Sequence, residues 1–430
     1  MKSMIFKTIA LIIIFEVVYS CSKGEGGSGN DAVVSLNSFY SLDDLSTAAT
    51  SAGKIPTYTT SGAENGLISM GDLSACVVMT SGSIKCWGYN QSFQLGNTNA
   101  GTNNQVTPVV VNILTEKAVA VSAALNHTCA FLSTGLKCWG SENNGKLGNR
   151  INNNTTATQP QDVLNLNSNQ IKMMVTGDEH VCVLFSASQQ VSCWGLNNLG
   201  QMAQSDFANP FINGANIPLP ESVKLISTSD HSVCAVTVSG SLYCWGSNIT
   251  TSANPNPILI DSGVKNISSG EKDHFCYINS EDTIKCFGKN EKLQLGNNTA
   301  TNVFNKTPNS VAGISHAKAI VAGQYHTCAI TNDGSSVYCW GDNSKGQLGS
   351  GSSTPAQSNA PIAVSGLPTA KVIDIAAADN NTCALLDNED VYCWGSNNNS
   401  GTSGYGDNLG IKNPPSLSNK AIRILNRNDL

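Results

Sequence analysis

Between residues 319 and 341 the chain alternates small and apolar residues from Ala319 to Thr331, breaks at Asn332-Asp333-Gly334, and resumes as Val337-Tyr338-Cys339-Trp340-Gly341. Period-two alternation interrupted by an Asp-Gly reversal predicts a strand, a turn and a returning antiparallel strand. The pattern recurs seven times, and each copy carries two cysteines: Cys76 with Cys86, Cys129 with Cys138, Cys182 with Cys193, Cys234 with Cys244, Cys276 with Cys286, Cys328 with Cys339, and Cys383 with Cys393. An aromatic residue and a glycine follow each second cysteine, as in Trp87-Gly88 and Trp394-Gly395, with Phe287-Gly288 in the fifth copy. Every tryptophan of the chain is used in this way. Copies recur at 51 to 55 residues, except between the fourth and fifth, where the interval shrinks to 42.

A four-stranded unit of this size has two sheet faces to cover and buries little alone, so radial stacking is the expected solution. The prediction is an all-β fold, a seven-bladed β-propeller with one intra-repeat disulfide per blade. Facing positions of an antiparallel pair lie about 4.5–5.5 Å apart at Cα, within reach of a disulfide. Closing so short a loop stabilises by roughly 2–3 kcal/mol in the chain-entropy model. Structural zinc favours gaps of two to four residues between its cysteines, and the gaps here are eight to ten, so no metal is expected. The aromatic residue and its glycine read as a plate packed on the next sheet and a close backbone approach. A ring also needs closure, and Ala421-Ile422-Arg423-Ile424-Leu425 is expected to pair into the first blade, joining the chain ends.

Composition agrees. Only 13% of residues are charged and the net charge is −6, with no basic stripe of the kind nucleic-acid binding requires. Fifteen cysteines point to an oxidising compartment. The N-terminus supplies the route: Lys2 and Lys7 precede a short apolar run from Thr8 to Phe15, broken by Glu16, which suits an export signal better than a membrane span. Val18-Tyr19-Ser20-Cys21 resembles the bacterial lipoprotein signal, and Ser22 to Asn30 reads as a Gly/Ser tether. The expected organisation is a signal peptide at 1–20, an anchor cysteine with tether and lead-in at 21–65, and the propeller at 66–430. Intramolecular pairing leaves one cysteine over, and it is Cys21, the expected lipidation site.

The repeats resemble the regulator of chromosome condensation repeat family, whose units carry Gly-x-x-His, a strand, a turn, Trp-Gly and Asn-x-x-Gly-Gln-Leu-Gly. Asn343-Ser344-Lys345-Gly346-Gln347-Leu348-Gly349 matches in full, with echoes at Gln94-Leu95-Gly96, Lys146-Leu147-Gly148 and Gln294-Leu295-Gly296. The resemblance covers about residues 66 to 425. Two departures stand out: cysteines flank the hairpin, and the fourth repeat lacks the Gln-Leu-Gly loop after Trp245-Gly246-Ser247-Asn248, which predicts a notch in one rim. Tryptophan-aspartate repeat propellers are set aside because Gly, not Asp, follows every Trp.

Five of the six histidines, His127, His180, His231, His274 and His326, precede a first cysteine by two or three residues, with Ser74 and Asn381 at matching places. Their period predicts a hydrogen-bonding role repeated in each blade, because equivalent positions converge only if they point at the axis. His316 reads as a loop residue. Asp178, Glu179, Asp273 and Asp379 are candidates to line a rim, or are solvated loop charges. No nucleophile elbow, phosphate loop or zinc-protease motif is present, and no cofactor is implied.

Members of the resembled family include a nuclear nucleotide-exchange factor and a secreted β-lactamase inhibitor, and fold does not decide between such activities. Exchange on a small GTPase needs a cytosolic or nuclear partner, which an exported chain does not meet. The expectation is a monomeric cell-envelope lipoprotein, at the outer membrane or cell surface, acting as a protein-binding scaffold. The alternative is a propeller lyase or hydrolase with catalytic groups on loops. The variable segments at 97–108, 149–162, 203–220, 297–310, 350–366 and 397–417 read as rim loops, and Tyr89, Phe93, Phe207, Phe211 and Tyr405 as candidate anchors for a partner. Asn153 and Asn248 head Asn-x-Ser/Thr motifs, which matter only in a eukaryotic secretory pathway.

Overall fold

The alternating stretch read as one strand is two. In the sixth repeat Ala317–Ala322 and His326–Thr331 pair antiparallel, with Val321 facing Cys328, and Gly323-Gln324-Tyr325 makes the reversal, closed by the Gly323 N–H donating to the His326 carbonyl at 2.9 Å. The alternation runs through this turn without an Asn-Gly signal, so the sequence hid it. The third strand, Val337–Asp342, returns along the second with Cys328 opposite Cys339, and the outer strand Gln357–Ala363 completes the sheet. The computed structural model describes residues 66–133, 135–153, 155–163, 171–250, 254–297, 300–397, 409–410 and 417–429.

Every repeat folds this way. Seven four-stranded sheets follow in chain order, each made of consecutive antiparallel strands. Their first strands lie side by side around a central channel: Ile68–Gly71, Ala118–Ala123, Ile171–Thr176, Val223–Thr228, Val264–Gly270, Ala317–Ala322 and Val372–Ala378. All seven cysteine pairs form disulfides between the second and third strands of a blade. Cys76 bonds to Cys86 in the first blade, Cys129 to Cys138 in the second, Cys182 to Cys193 in the third and Cys234 to Cys244 in the fourth. Cys276 bonds to Cys286, Cys328 to Cys339 and Cys383 to Cys393 in the remaining three. The Cα atoms are 4.1 Å apart in each. That spacing is tighter than expected, nearest to the narrow, non-hydrogen-bonded pair of an antiparallel ladder. The bridged cysteines are fully buried, so they crosslink the core and offer nothing to a partner.

The outer strands explain much of what read as variable rim loop. Gln105–Val110, Thr156–Asp162, Phe211–Asn216, Thr301–Ser310 and Gln357–Ala363 fall wholly or largely inside those segments but form the outer edges of the sheets. Half exposed, they lack a buried stripe. A repeated signal was present nonetheless: Pro108, Pro160, Pro257, Pro308 and Pro361 each stand just before the residue that faces the second cysteine. Proline is tolerated on an edge strand, where it also discourages pairing with another chain.

Blades are joined by their tryptophans. The indole N–H of Trp139 donates to the Gln94 carbonyl of the preceding blade at 2.9 Å, Trp194 to Lys146 at 2.9 Å, Trp245 to Gln201 at 2.8 Å, Trp340 to Gln294 at 2.9 Å and Trp394 to Gln347 at 3.0 Å. The motif asparagine holds that carbonyl in place. Asn90, Asn197, Asn290 and Asn343 are buried and accept, through Oδ1, the backbone N–H five residues on. The glycine after each tryptophan takes a positive φ, 104° at Gly88, and a Cβ there would sit 2.3 Å from the Leu73 carbonyl oxygen.

The fifth blade is the exception that explains the fourth. Without a Gln-Leu-Gly loop in blade four there is no carbonyl to receive an indole, and blade five carries Phe287 instead of Trp. Phe287 stacks on Phe275 at 4.9 Å, Ile249 is buried in the same cluster, and Lys306 of blade five donates to the Ile249 carbonyl at 2.7 Å. The seam expected to be a notch is filled by this apolar cluster.

Closure differs from expectation. Leu417–Asn426 pairs with Asp390–Ser396, Cys393 facing Ile422, and so forms the outer strand of the seventh blade instead of entering the first. The first blade already has its outer strand, Gln105–Val110, whereas blade seven would otherwise end on an unpaired edge. The ends still meet, through side-chain and backbone hydrogen bonds: Asp374 accepts the Leu67 N–H at 3.1 Å, the buried Arg427 side chain donates to the Val78 carbonyl at 2.5 Å, and the Thr80 N–H donates to the Arg427 backbone carbonyl at 3.1 Å. Removing an indole N–H should forfeit its bond to the loop carbonyl, about 0.5–1.5 kcal/mol, although the Gln294 carbonyl keeps the Thr327 hydroxyl at 3.0 Å as a second donor. Trp340→Phe is therefore expected to lower the urea midpoint, while Phe287→Trp gives no gain; equal responses at both seams would refute this pairing of loop and indole.

Candidate functional site at the channel mouth

Each blade turns from its first to its second strand at the same end of the channel, and the loops after the third strands lie at that end too. The Tyr89 N–H donates to the Leu73 carbonyl at 2.8 Å, and Gln94 Nε2 to the Leu125 carbonyl at 2.8 Å. One face therefore carries two concentric rings of turns.

The inner of these rests on the histidines, which open the second strands. His127, His180, His274 and His326 are fully buried. Gly177, Gly270 and Gly323 let the rings lie against the backbone, for a Cβ on them would meet His180, His274 and His326 at 2.1 to 2.4 Å. Nε2 of His274 reaches Thr327 Oγ1 of the next blade at 3.2 Å, and His326 reaches Thr382 at 2.7 Å. In blade three the facing residue is Val181, with no hydroxyl, and His127 has no partner among the described residues; His180 turns to Thr228 instead at 2.7 Å. The role is thus repeated but not universal. Strand register puts Ser232, not His231, in this column. Burial holds His180 and His326 down to about 3 and His274 to about 4, so they stay neutral seams.

Two residues before this column, three in blade five, the chain reaches the axis. Those positions are Asp72, Leu125, Asp178, Asp230, Glu271, Gln324 and Asp379: five carboxyl groups in seven blades. Carboxylate oxygens of Asp72, Asp178 and Asp230 lie within 4.8 Å of one another. Glu271 Oε1 accepts the Asp379 N–H at 2.5 Å, and Lys272 Nζ stands 3.6 Å from Asp230 Oδ2. Beneath them is a half-open pocket lined by Asp72, Asp178, Glu271, Thr176, Thr228 and Ser269, among others.

Burial and mutual repulsion raise these acids. Asp178 is pushed up to about 6 by burial and by Glu179, and Asp72, Asp230 and Glu271 rise well above the usual carboxylate range through burial and their acidic neighbours. Burial also raises Asp379. Lys272 is held above its ordinary value, burial opposing but Asp230, Glu271 and Asp72 prevailing.

Of the four acids singled out from sequence, Asp178 and Asp379 belong to this ring. Glu179 and Asp273 do not: Glu179 accepts from the buried Lys146 ammonium at 2.9 Å, and Asp273 lies 3.5 Å from Lys289 and accepts from Asn248 at 2.9 Å. Sequence reasoning missed Asp72, Asp230, Glu271 and Lys272, although their offset of two or three residues from the histidine column was a usable signal. Among the anchor candidates Tyr89 and Phe207 are half-buried on this loop face, Phe207 against Gly200. Phe93 is only 4% exposed and packs inward, so it offers a partner no surface. Phe211 begins an outer strand and packs on the core, and Tyr405 lies outside the described residues, as does Cys21.

Fold and mouth together define a repeat-built seven-bladed propeller whose loops gather around one acidic channel end. The chain belongs to the regulator of chromosome condensation (RCC1) repeat family, whose models match residues 67–94, 317–347 and 372–401, and 81–131, 138–184, 286–330 and 335–385. The Ultraviolet-B receptor UVR8 of Arabidopsis thaliana is 26% identical over 362 residues, 80% of this chain and 79% of the receptor. The E3 ubiquitin-protein ligase HERC2 of Mus musculus is 26% identical over 73% of this chain, which spans only 7% of the ligase. Among solved structures, Prp20p from Saccharomyces cerevisiae, described with its binding properties to Gsp1p and histones, superposes with TM-score 0.68 at 18% identity over 84% of this chain and 87% of its own. Human WBSCR16 gives 0.65 at 18% identity over 79% and 94%. Identities this low speak to fold alone.

The raised acids carry a pH signature. A carboxyl whose folded pKa exceeds its unfolded value keeps its proton in the folded state while the unfolded chain loses it, so stability falls as pH rises from about 4 through about 6. For Asp178 this amounts to roughly 2–3 kcal/mol. Asp178→Asn should raise the urea midpoint in EDTA at pH 7.5 and lose that advantage at pH 4; an unchanged difference between the two pH values would contradict the shift.

Proposed function

We propose that this is an exported, lipid-anchored envelope protein that presents its loop-bearing face to another protein. Cysteine usage carries the reading. Fourteen of fifteen cysteines are consumed by seven within-blade disulfides, which need an oxidising compartment, and the one left over is Cys21 in the lipoprotein-like segment. Two or three acyl chains on that residue hold a protein at a membrane stably, whereas one does not.

The loop face suits a protein partner. Ile151 and Leu199 are exposed apolar residues in loops that follow third strands, where Tyr89 and Phe207 also lie, among the Asn, Gln, Ser and Thr residues of the same loops. Apolar anchors in a polar surround are the usual anatomy of a protein-binding surface. Prp20p, with the same fold, is described as binding other proteins.

The test begins in the native host. The full chain is expected in the membrane fraction with an acylated Cys21, and Cys21→Ala should release it. An unmodified Cys21 peptide in the mature protein would remove the anchor. For the partner, proximity crosslinking from residues on the loop face should capture one envelope protein, and Tyr89→Ala with Leu199→Ala should weaken its binding tenfold or more, about 1.4 kcal/mol or above. Capture that survives both changes would exclude this face.

A further inference from the structure

We infer that the channel mouth is a calcium site, built from Asp72, Asp178, Asp230 and Glu271 on four blades. The chemistry of the donors selects the ion. All are oxygen ligands, with no cysteine or imidazole, which suits a hard cation and not zinc. Calcium takes six to eight oxygens in a flexible shell, as several carboxyl groups from separate blades can supply, whereas magnesium keeps most of its water and is usually held by one or two carboxylates. The three aspartate oxygens lie within 4.8 Å of one another, close enough to converge on a single cation.

Two further groups point to a ligand. Ser269 is 4% exposed, lines the same pocket, and its hydroxyl has no hydrogen-bond partner. The equivalent hydroxyls differ: Thr176 pairs with Ser122 at 2.8 Å and Thr228 with His180 at 2.7 Å. Glu271 Oε2 is likewise shielded from solvent and unpartnered, while its other oxygen is fixed by the Asp379 N–H. Unsatisfied buried oxygens are costly unless something they can bind completes them. Lys272 is the cation paired with the ring, 3.6 Å from Asp230, and its side chain is 41% exposed and able to swing out; Lys146 donates to the Asp178 carbonyl at 3.4 Å but is neutralised by Glu179. Five acids against one lysine leave an excess of four negative charges when all are ionised, which a divalent ion reduces.

Calcium titration of the EDTA-treated full chain, followed by calorimetry and thermal melting at pH 7.5, tests this. The expected result is one calcium per chain, a Kd on the order of 10⁻⁵–10⁻³ M, a melting temperature raised by several degrees, and weaker binding of magnesium. The double variant, Asp72→Asn with Asp230→Asn, should melt no lower than the wild type in EDTA, because repulsion is relieved, yet lose the calcium response. Glu271→Gln, which keeps the bond from Asp379, should weaken calcium about tenfold with its melting temperature in EDTA retained. Absence of calcium binding, magnesium binding at least as tightly, or a wild-type calcium response in these variants would overturn the assignment.

Discussion

Everything in this molecule depends on the seam between blades. A four-stranded sheet stapled by one disulfide has two apolar faces, and it becomes stable only when each is covered by a neighbour. The indole of one blade and the loop carbonyl of the previous one make that contact directional: the plate buries area, and its N–H can be satisfied in one orientation only. Six tryptophans and one phenylalanine therefore set the spacing and order of the ring.

The fourth and fifth repeats show how strictly the two halves of a seam are linked. Loss of the Gln-Leu-Gly loop and replacement of Trp by Phe287 are separate oddities along the chain and a single change in space. A donor without an acceptor would leave a buried polar group unmatched, so the place of the indole is filled by the apolar Ile249, Phe275 and Phe287. The histidine column follows the same logic, since a threonine hydroxyl on the next blade decides whether an imidazole finds a partner.

The channel mouth runs against that economy. Asp72, Asp178, Asp230, Glu271 and Asp379 crowd like charges where neutral residues such as Leu125 and Gln324 are structurally acceptable, as blades two and six demonstrate. Groups that oppose stability and are not required by the fold are the natural places to look for function. The surrounding loops, the exposed Ile151 and Leu199 and the half-buried Tyr89 and Phe207 make this the better-equipped face of the disc for meeting another molecule.

Repetition made the architecture readable from sequence. Cysteine pairs, Trp-Gly steps and Gln-Leu-Gly loops recurring in register imply seven equivalent units and a disulfide in each, because every copy faces the same local geometry. The turn after the first strand was invisible, since alternation continues through Gly323-Gln324-Tyr325, and the outer strands were mistaken for loops because they lie half in solvent. What only the three-dimensional arrangement decided was which repeated positions meet: the last strand completes its own blade, Glu179 and Asp273 pair away from the axis, and five acids from five distant segments converge on it. Sequence records an offset within a repeat, but direction toward the axis is a property of the closed ring.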